Sequence, residues 1–288
     1  MFLKRVLLAL LYLLPMSFVS CAAETRLSAA IALGLMGEDG GDKLFYYPTK
    51  DQPRTPLELG YAYEDVFFVA SDGVRLHGWW MPAKSPKATV VYSHGNAGSV
   101  GHHLVFVQWL VDAGYNVLLY DYRGYGRSAG EITKAGVVKD AQAAFAYVSK
   151  RKDVDKIISF GHSLGGAKSI AALGQSAPME LKAVIVDSTF ASYQDMAERV
   201  AGVQARKVVS DAYEPYIYIN KLPKIPVMIV HGTADGTIPF AQAQKLFEAA
   251  NHPKMLMEIE GADHVNCFFI EGNKYRRDLL KWMADVVE

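Results

Sequence analysis

The chain reads as one α/β domain, a mostly parallel central sheet with helices on both faces. Its 288 residues suffice for a single sizeable core. From about residue 65, short apolar runs alternate with longer helical segments, the pattern of a sheet covered on both sides. No internal repeat and no Gly/Ser-rich or Pro-rich linker divides that alternation.

The elements follow in order. Runs at 66–70 and 74–80 flank Ser71-Asp72-Gly73, a turn signal that makes them a hairpin and gives the sheet an antiparallel edge. Near-continuous apolar runs at 88–92, 116–120, 156–160, 183–186, 227–230 and 255–259 fit parallel strands buried on both faces. Helical segments fit at 102–113, 134–150, 164–175, 240–250 and 274–287. Between Asp187 and Lys221 the alternation is interrupted by a polar, helix-like run and then Tyr213-Glu214-Pro215-Tyr216-Ile217-Tyr218. We read 189–221 as a small lid insertion. Its Met196, Val200, Val203 and tyrosines suit core packing or the wall of a substrate groove.

The N-terminus has the form of an export signal. Lys4 and Arg5 precede an apolar stretch from Val6 to Leu14, and Pro15 breaks it before small residues. Phe18-Val19-Ser20-Cys21 is similar to a lipobox, with Phe18 where Leu is usual, so acylation of Cys21 is one outcome. Cleavage near Ala22 or Ala23 and an uncleaved anchor are the others. All three place the domain outside the cytoplasm, in the cell envelope. The expected plan is a signal peptide at 1–20, an N-terminal segment at 21–43 and the folded domain at 44–288.

Composition excludes several classes. The 30 Lys and Arg residues balance 30 Asp and Glu, so no basic surface advertises a nucleic acid. The only cysteines are Cys21 and Cys267, which rules out a disulfide framework. Cys267, beside Phe268 and Phe269, is expected as a small buried residue.

Chemistry concentrates at Ile157-Ile158-Ser159-Phe160-Gly161-His162-Ser163-Leu164-Gly165-Gly166, a strand running through G-x-S-x-G into a helix. A sharp strand-to-helix turn projects a serine hydroxyl toward a base, and its helix N-terminus favours developing negative charge. Side chains at Gly161 and Gly165 would collide with the neighbouring helix or strand. Ser163 is therefore the candidate nucleophile. Among eight histidines, His264 is the candidate base, because its loop after the last strand opens at the sheet's carboxyl edge beside the serine. His252 suits an exposed turn, His77 a structural place in a strand, and adjacent His102 and His103 make a poor metal pair. Asp235, in the loop after 227–230, is the candidate acid and completes a Ser-acid-His order, with Asp263 and Asp187 as rivals. Ser93-His94-Gly95-Asn96-Ala97-Gly98 follows a strand, and the backbone amides of Asn96 and Leu164 would form an oxyanion hole. The loop lacks the Lys-Ser/Thr ending of a phosphate loop. No metal or organic cofactor is called for.

With these residues in place, the chain resembles the α/β-hydrolase superfamily, and within it the Bem46-like serine hydrolases. The resemblance runs from about Leu44 to the C-terminus. It rests on Tyr47-Pro48, Ser71-Asp72-Gly73 with Leu76-His77-Gly78-Trp79, Ser93 to Gly98, Asp121-Tyr122-Arg123-Gly124-Tyr125-Gly126-Arg127-Ser128, the elbow, and His231-Gly232-x-x-Asp235-x-x-Ile238-Pro239. It implies the α/β-hydrolase fold and the same roles for Ser163, Asp235, His264, Asn96 and Leu164. Arg123 is expected to brace neighbouring loops through fork-shaped hydrogen bonds. The function expected is a membrane-attached serine hydrolase that cleaves small-molecule or lipid esters or thioesters through an acyl-serine. A serine peptidase of the oligopeptidase type and a non-catalytic binding protein of the envelope are the alternatives.

Overall fold

The computed structural model describes residues 42–288. The export signal, Cys21 and nearly all of the expected N-terminal segment lie outside the described residues.

In chain order the strands are β1 (Tyr47–Pro48), β2 (Glu64–Val69), β3 (Arg75–Met81), β4 (Thr89–Ser93), β5 (Ala97–Gly98), β6 (Asn116–Asp121), β7 (Ile157–His162), β8 (Leu181–Asp187), β9 (Val227–Gly232) and β10 (Lys254–Ile259). The α-helices are α1 (Val100–Asp112), α2 (Lys134–Ser149), α3 (Leu164–Gln175), α4 (Tyr193–Ala201), α5 (Pro215–Tyr218), α6 (Phe240–Ala249) and α7 (Lys274–Asp285). The expected strands and helices are present, with ends shifted by no more than two residues. The main sheet runs β10-β9-β8-β7-β4-β6-β3-β2. Strands β2, β3 and β6 pair antiparallel and the other pairs are parallel, so the antiparallel edge is where the hairpin signal put it.

Alternation along the central strands divides two cores. Val91, Leu118, Val184, Val186 and Ile229 face α2, α3, α4 and α6. Their neighbours Val90, Val117, Leu119, Ile185 and Met228 face α1 and α7. Because successive side chains point to opposite faces, a strand apolar at every position needs a helix on each side. Strand β10 departs from this: it pairs only with β9 at the sheet edge, and Met255 remains exposed. The two-stranded pairing of β1 with β5 carries no periodicity in two residues and is not legible in the sequence.

Segment 189–221 folds as α4, a 3-10 turn Val203–Val208, α5 and a second 3-10 turn Ile219–Lys221. Ser192 caps α4 by accepting the Asp195 amide, and Glu214 accepts the amides of Tyr193 and Gln194. Met196 is buried in the core, and Val200 and Val203 are exposed. The tyrosines at 213, 216 and 218 pack partly buried against the core.

Arg123 braces its loop as the fork-shaped bonds require. Its guanidinium donates to both oxygens of Asp72 at 3.0 Å and to Asp140 at 2.8–3.0 Å, tying the β2–β3 turn to α2. Asp140 is fully buried and Asp72 is 28% exposed at the side chain. Removing Asp140 would strand a buried cation, so Asp140→Ala should cost about 3–5 kcal/mol in urea unfolding. Asp72→Ala should cost about 1 kcal/mol, because water replaces the lost partner. Equal losses would show that burial does not govern this brace.

Candidate active site

The site lies where the carboxyl ends of five adjacent strands line up. Ser93 pairs with Gly161, His162 with Asp187, Asp187 with Val230 and Gly232 with Ile259. Each of the segments that follow these strands therefore emerges on one edge.

Ser163 follows β7 at φ 55° and ψ −121°, a positive φ that is costly for a residue with a side chain. Its amide donates to the Asp187 carbonyl at 2.8 Å, and its carbonyl accepts from Thr189 Oγ1 at 3.2 Å. Both glycines of the turn are sterically required. A Cβ on Gly161 would lie 2.4 Å from Gly166 Cα, and one on Gly165 would lie 2.0 Å from the Ser93 carbonyl oxygen. The turn thus pins the start of α3 against the loop after β4.

His264 Nε2 stands 3.1 Å from Ser163 Oγ, and His264 Nδ1 stands 2.8 Å from Asp235 Oδ2. A carboxylate oxygen accepts, so Nδ1 carries the proton and Nε2 presents its lone pair to the serine hydroxyl. Asp235 is itself fixed: Oδ1 accepts the amides of Thr237 at 2.9 Å and Ile238 at 2.8 Å. His231 Nε2 donates to the Ile238 carbonyl at 2.9 Å and lies 3.3 Å from Asp235 Oδ2. Burial alone would raise the Asp235 pKa, but the hydrogen bonds from His231, His264 and the Ile238 amide outweigh it. The carboxyl is held below the usual carboxylate range and stays ionised beside the imidazole. The His264 side chain keeps 15% of its surface exposed, which leaves it an open edge.

The rival acids go elsewhere. Asp187 Oδ2 holds His162 Nδ1 at 3.0 Å, and its Oδ1 accepts the Ser188 hydroxyl. Asp263 Oδ1 accepts the amides of His264 at 2.7 Å and Gly236 at 3.1 Å, so it caps its own loop. Of the other histidines, His77 is buried on Asp65, His102 faces Asp51, His103 meets the Ala97 carbonyl, and His252 is exposed. Cys267 is buried and free, and burial pushes its thiol pKa far up, away from thiolate chemistry.

The loop 93–98 lies against the elbow: a Cβ on Gly95 would meet Ser163 Cβ at 3.8 Å and His162 Cδ2 at 3.3 Å. Leu164 is the first residue of α3, so its amide has no intrahelical acceptor. Neither it nor the Asn96 amide donates a hydrogen bond to another described residue. Sequence reasoning missed His162, His231 and the supports of Asp235. A histidine at the end of a buried strand carries no local signal of which carboxylate it will meet.

Aromatic rings border the site. Phe106 stacks on His162 with centroids 5.5 Å apart and meets Phe269 edge-on at 5.8 Å, and His162 lies 5.3 Å from His264. Among the described residues no three His, Cys, Asp or Glu side chains converge to hold a metal ion.

A family model described as serine aminopeptidase, S33, matches residues 84–221. YfhR of Escherichia coli strain K12 is 36% identical over 251 residues, covering 84% of this chain and 87% of its own length. The α/β-hydrolase domain-containing protein WAV2 of Arabidopsis thaliana is 32% identical, over 84% of this chain and 87% of WAV2. The bem46 protein of Schizosaccharomyces pombe is 31% identical, over 75% of this chain and 77% of its own. Among solved structures, an esterase of Pyrococcus furiosus superposes with a TM-score of 0.71 at 22% identity, over 85% of this chain and 99% of that one. At that identity the likeness speaks for the fold. The lengths covered by WAV2 and bem46, together with the sheet order and the elbow, make this chain a member of the Bem46-like group of α/β hydrolases.

Proposed function

We propose that this hydrolase is a serine esterase or thioesterase working through an acyl-enzyme. The observation that carries the reading is the unbroken path from Asp235 Oδ2 to His264 at 2.8 Å and from His264 to Ser163 Oγ at 3.1 Å. His264 Nε2 takes the hydroxyl proton as Ser163 Oγ attacks the acyl carbon, and Asp235 stabilises the imidazolium that results. The tetrahedral oxyanion is held by the amides of Asn96 and Leu164. His264 then returns the proton to the leaving alcohol or thiol, and a water deprotonated by His264 releases the acid.

Ester chemistry is carried over to this chain by fold-level analogy with the Pyrococcus furiosus esterase. A second reading has its own support, because the matching family model bears the name of a serine aminopeptidase. A panel of p-nitrophenyl esters, acyl thioesters and aminoacyl p-nitroanilides separates them, and turnover of the anilides alone would favour the peptidase.

Ser163→Ala should lower turnover by on the order of 10⁴-fold or more with the fold intact. Asp235→Asn should lose on the order of 10⁴-fold, because the amide leaves His264 in the wrong tautomer. Asp187→Asn and Asp263→Asn, whose carboxylates serve other partners, should each lose less than about tenfold. A larger loss from either than from Asp235→Asn would reassign the acid.

The envelope location belongs to the same proposal, with Cys21 as the acylated residue of an exported lipoprotein. No helix among the described residues is long and apolar enough to cross a membrane. In this proposal attachment is by the acylated Cys21, and Cys21→Ser should move the protein from the membrane pellet to the soluble fraction. Unchanged membrane retention would favour an uncleaved anchor.

A further inference from the structure

The loop that carries the Asn96 amide is held at every carbonyl between 94 and 98, four of them from outside the loop and that of Gly95 by the His94 ring within it. The Tyr122 hydroxyl donates to the His94 carbonyl at 2.8 Å, and His94 Nδ1 donates to the Gly95 carbonyl at 2.7 Å. The Asn96 carbonyl accepts the Tyr125 hydroxyl at 2.7 Å and the Tyr47 amide at 2.8 Å. His103 Nε2 donates to the Ala97 carbonyl at 2.9 Å, and the Thr49 amide donates to the Gly98 carbonyl at 3.0 Å. One of these bonds differs in kind from the rest. The Gly95 carbonyl and the Asn96 N–H belong to the same peptide unit, and it is trans. In a trans peptide the two groups point in opposite directions, so gripping the carbonyl aims the amide.

We propose that His94 is the positioning residue of the oxyanion hole, orienting the Asn96 amide through the Gly95 carbonyl. This rests on the reading of Ser163 as an acyl-transfer nucleophile. The ring is well placed for the task. It is fully buried, lies 4.7 Å from the His103 ring and 4.4 Å from the Tyr122 ring, and its carbonyl is fixed by Tyr122. Burial holds its pKa well below the ordinary histidine value, so the imidazole is neutral. Because a carbonyl oxygen only accepts, the proton sits on Nδ1, and Nε2 makes no hydrogen bond among the described residues, with Asp121 Oδ1 3.8 Å away. The hydrogen bond to the Gly95 oxygen also polarises the peptide and makes the Asn96 N–H a better donor.

The test compares two replacements that both remove the ring. In His94→Asn the amide nitrogen occupies the place of Nδ1 and still reaches the Gly95 carbonyl. In His94→Gln it occupies the place of Nε2 and points away. Rates are counted per active site titrated to completion with a fluorophosphonate, so that misfolded protein does not enter. For a p-nitrophenyl ester, His94→Gln should lose on the order of 10- to 100-fold in kcat with KM nearly unchanged, a fraction of the loss seen when an oxyanion donor is removed outright. A trifluoromethyl ketone, which adds Ser163 and presents an oxyanion, should weaken by the same factor. His94→Asn should recover at least half of the loss on a logarithmic scale. If Asn is no better than Gln, or if inhibitor binding holds while kcat falls, His94 serves packing alone and the inference is overturned. Esterase activity that survives in Ser163→Ala would instead remove the acyl-enzyme reading on which it stands.

Discussion

The structure depends above all on the backbone of Ser163. A non-glycine residue at φ 55° and ψ −121° is held there against its preference. What compensates is the packing on either side. The Ser163 amide is bonded to the Asp187 carbonyl at the end of the next strand, and the two glycines allow α3 to start in direct contact with β7 and the loop after β4. Because β7 lies between β4 and β8 in the middle of the sheet, those contacts come from both neighbours. The elbow is held by the centre of the sheet and, from the start of the 189–221 insertion, by the Thr189 hydroxyl on the Ser163 carbonyl.

The acidic side chains at the sheet edge illustrate how neighbouring carboxylates acquire separate tasks. Asp187 ends the parallel strand β8 and Asp235 follows β9, and both meet an imidazole, at 3.0 Å and 2.8 Å. Only the histidine bonded to Asp235 also reaches Ser163 Oγ. His162, the partner of Asp187, belongs to the strand itself, and its ring is fixed between Phe106 and His264. Asp187 therefore secures the turn, through its carbonyl on the Ser163 amide and its carboxylate on His162. Asp235 is left to His264, the imidazole that faces Ser163 Oγ.

The periodic parts of the molecule were legible because their causes are local. Buried parallel strands such as β4 and β7 must be apolar at every position, and the segment between Ser71 and Gly73 can only turn. The three candidate residues Ser163, Asp235 and His264 could be named because each follows a strand, and strand ends converge in this architecture. Their supports were not legible. Nothing in the sequence near His231 states that its ring will lie beside Asp235, and nothing near Tyr125 states that its hydroxyl will reach Asn96. The first depends on how one four-residue turn folds back on itself, and the second on the packing of segments 29 residues apart. The β1–β5 pairing fails for a different reason, since two residues are too few to show a period.

That unforeseen pairing links the two ends of the functional argument. Backbone amides of Tyr47 and Thr49, donated by the first described segment, hold the carbonyls of Asn96 and Gly98. Side chains deeper in the fold hold the carbonyls of His94, Gly95 and Ala97. The loop 93–98 is thus clamped between the body of the domain and the segment that carries Tyr47 and Thr49. Backbone donors survive any substitution at 47 or 49 except proline, which has no N–H, whereas the inner donors depend on particular rings. Evolutionary change in the entry segment would therefore be tolerated as long as its extended path is kept. Change at His94, Tyr122 or Tyr125 would alter the direction of the amides that the proposed mechanism uses.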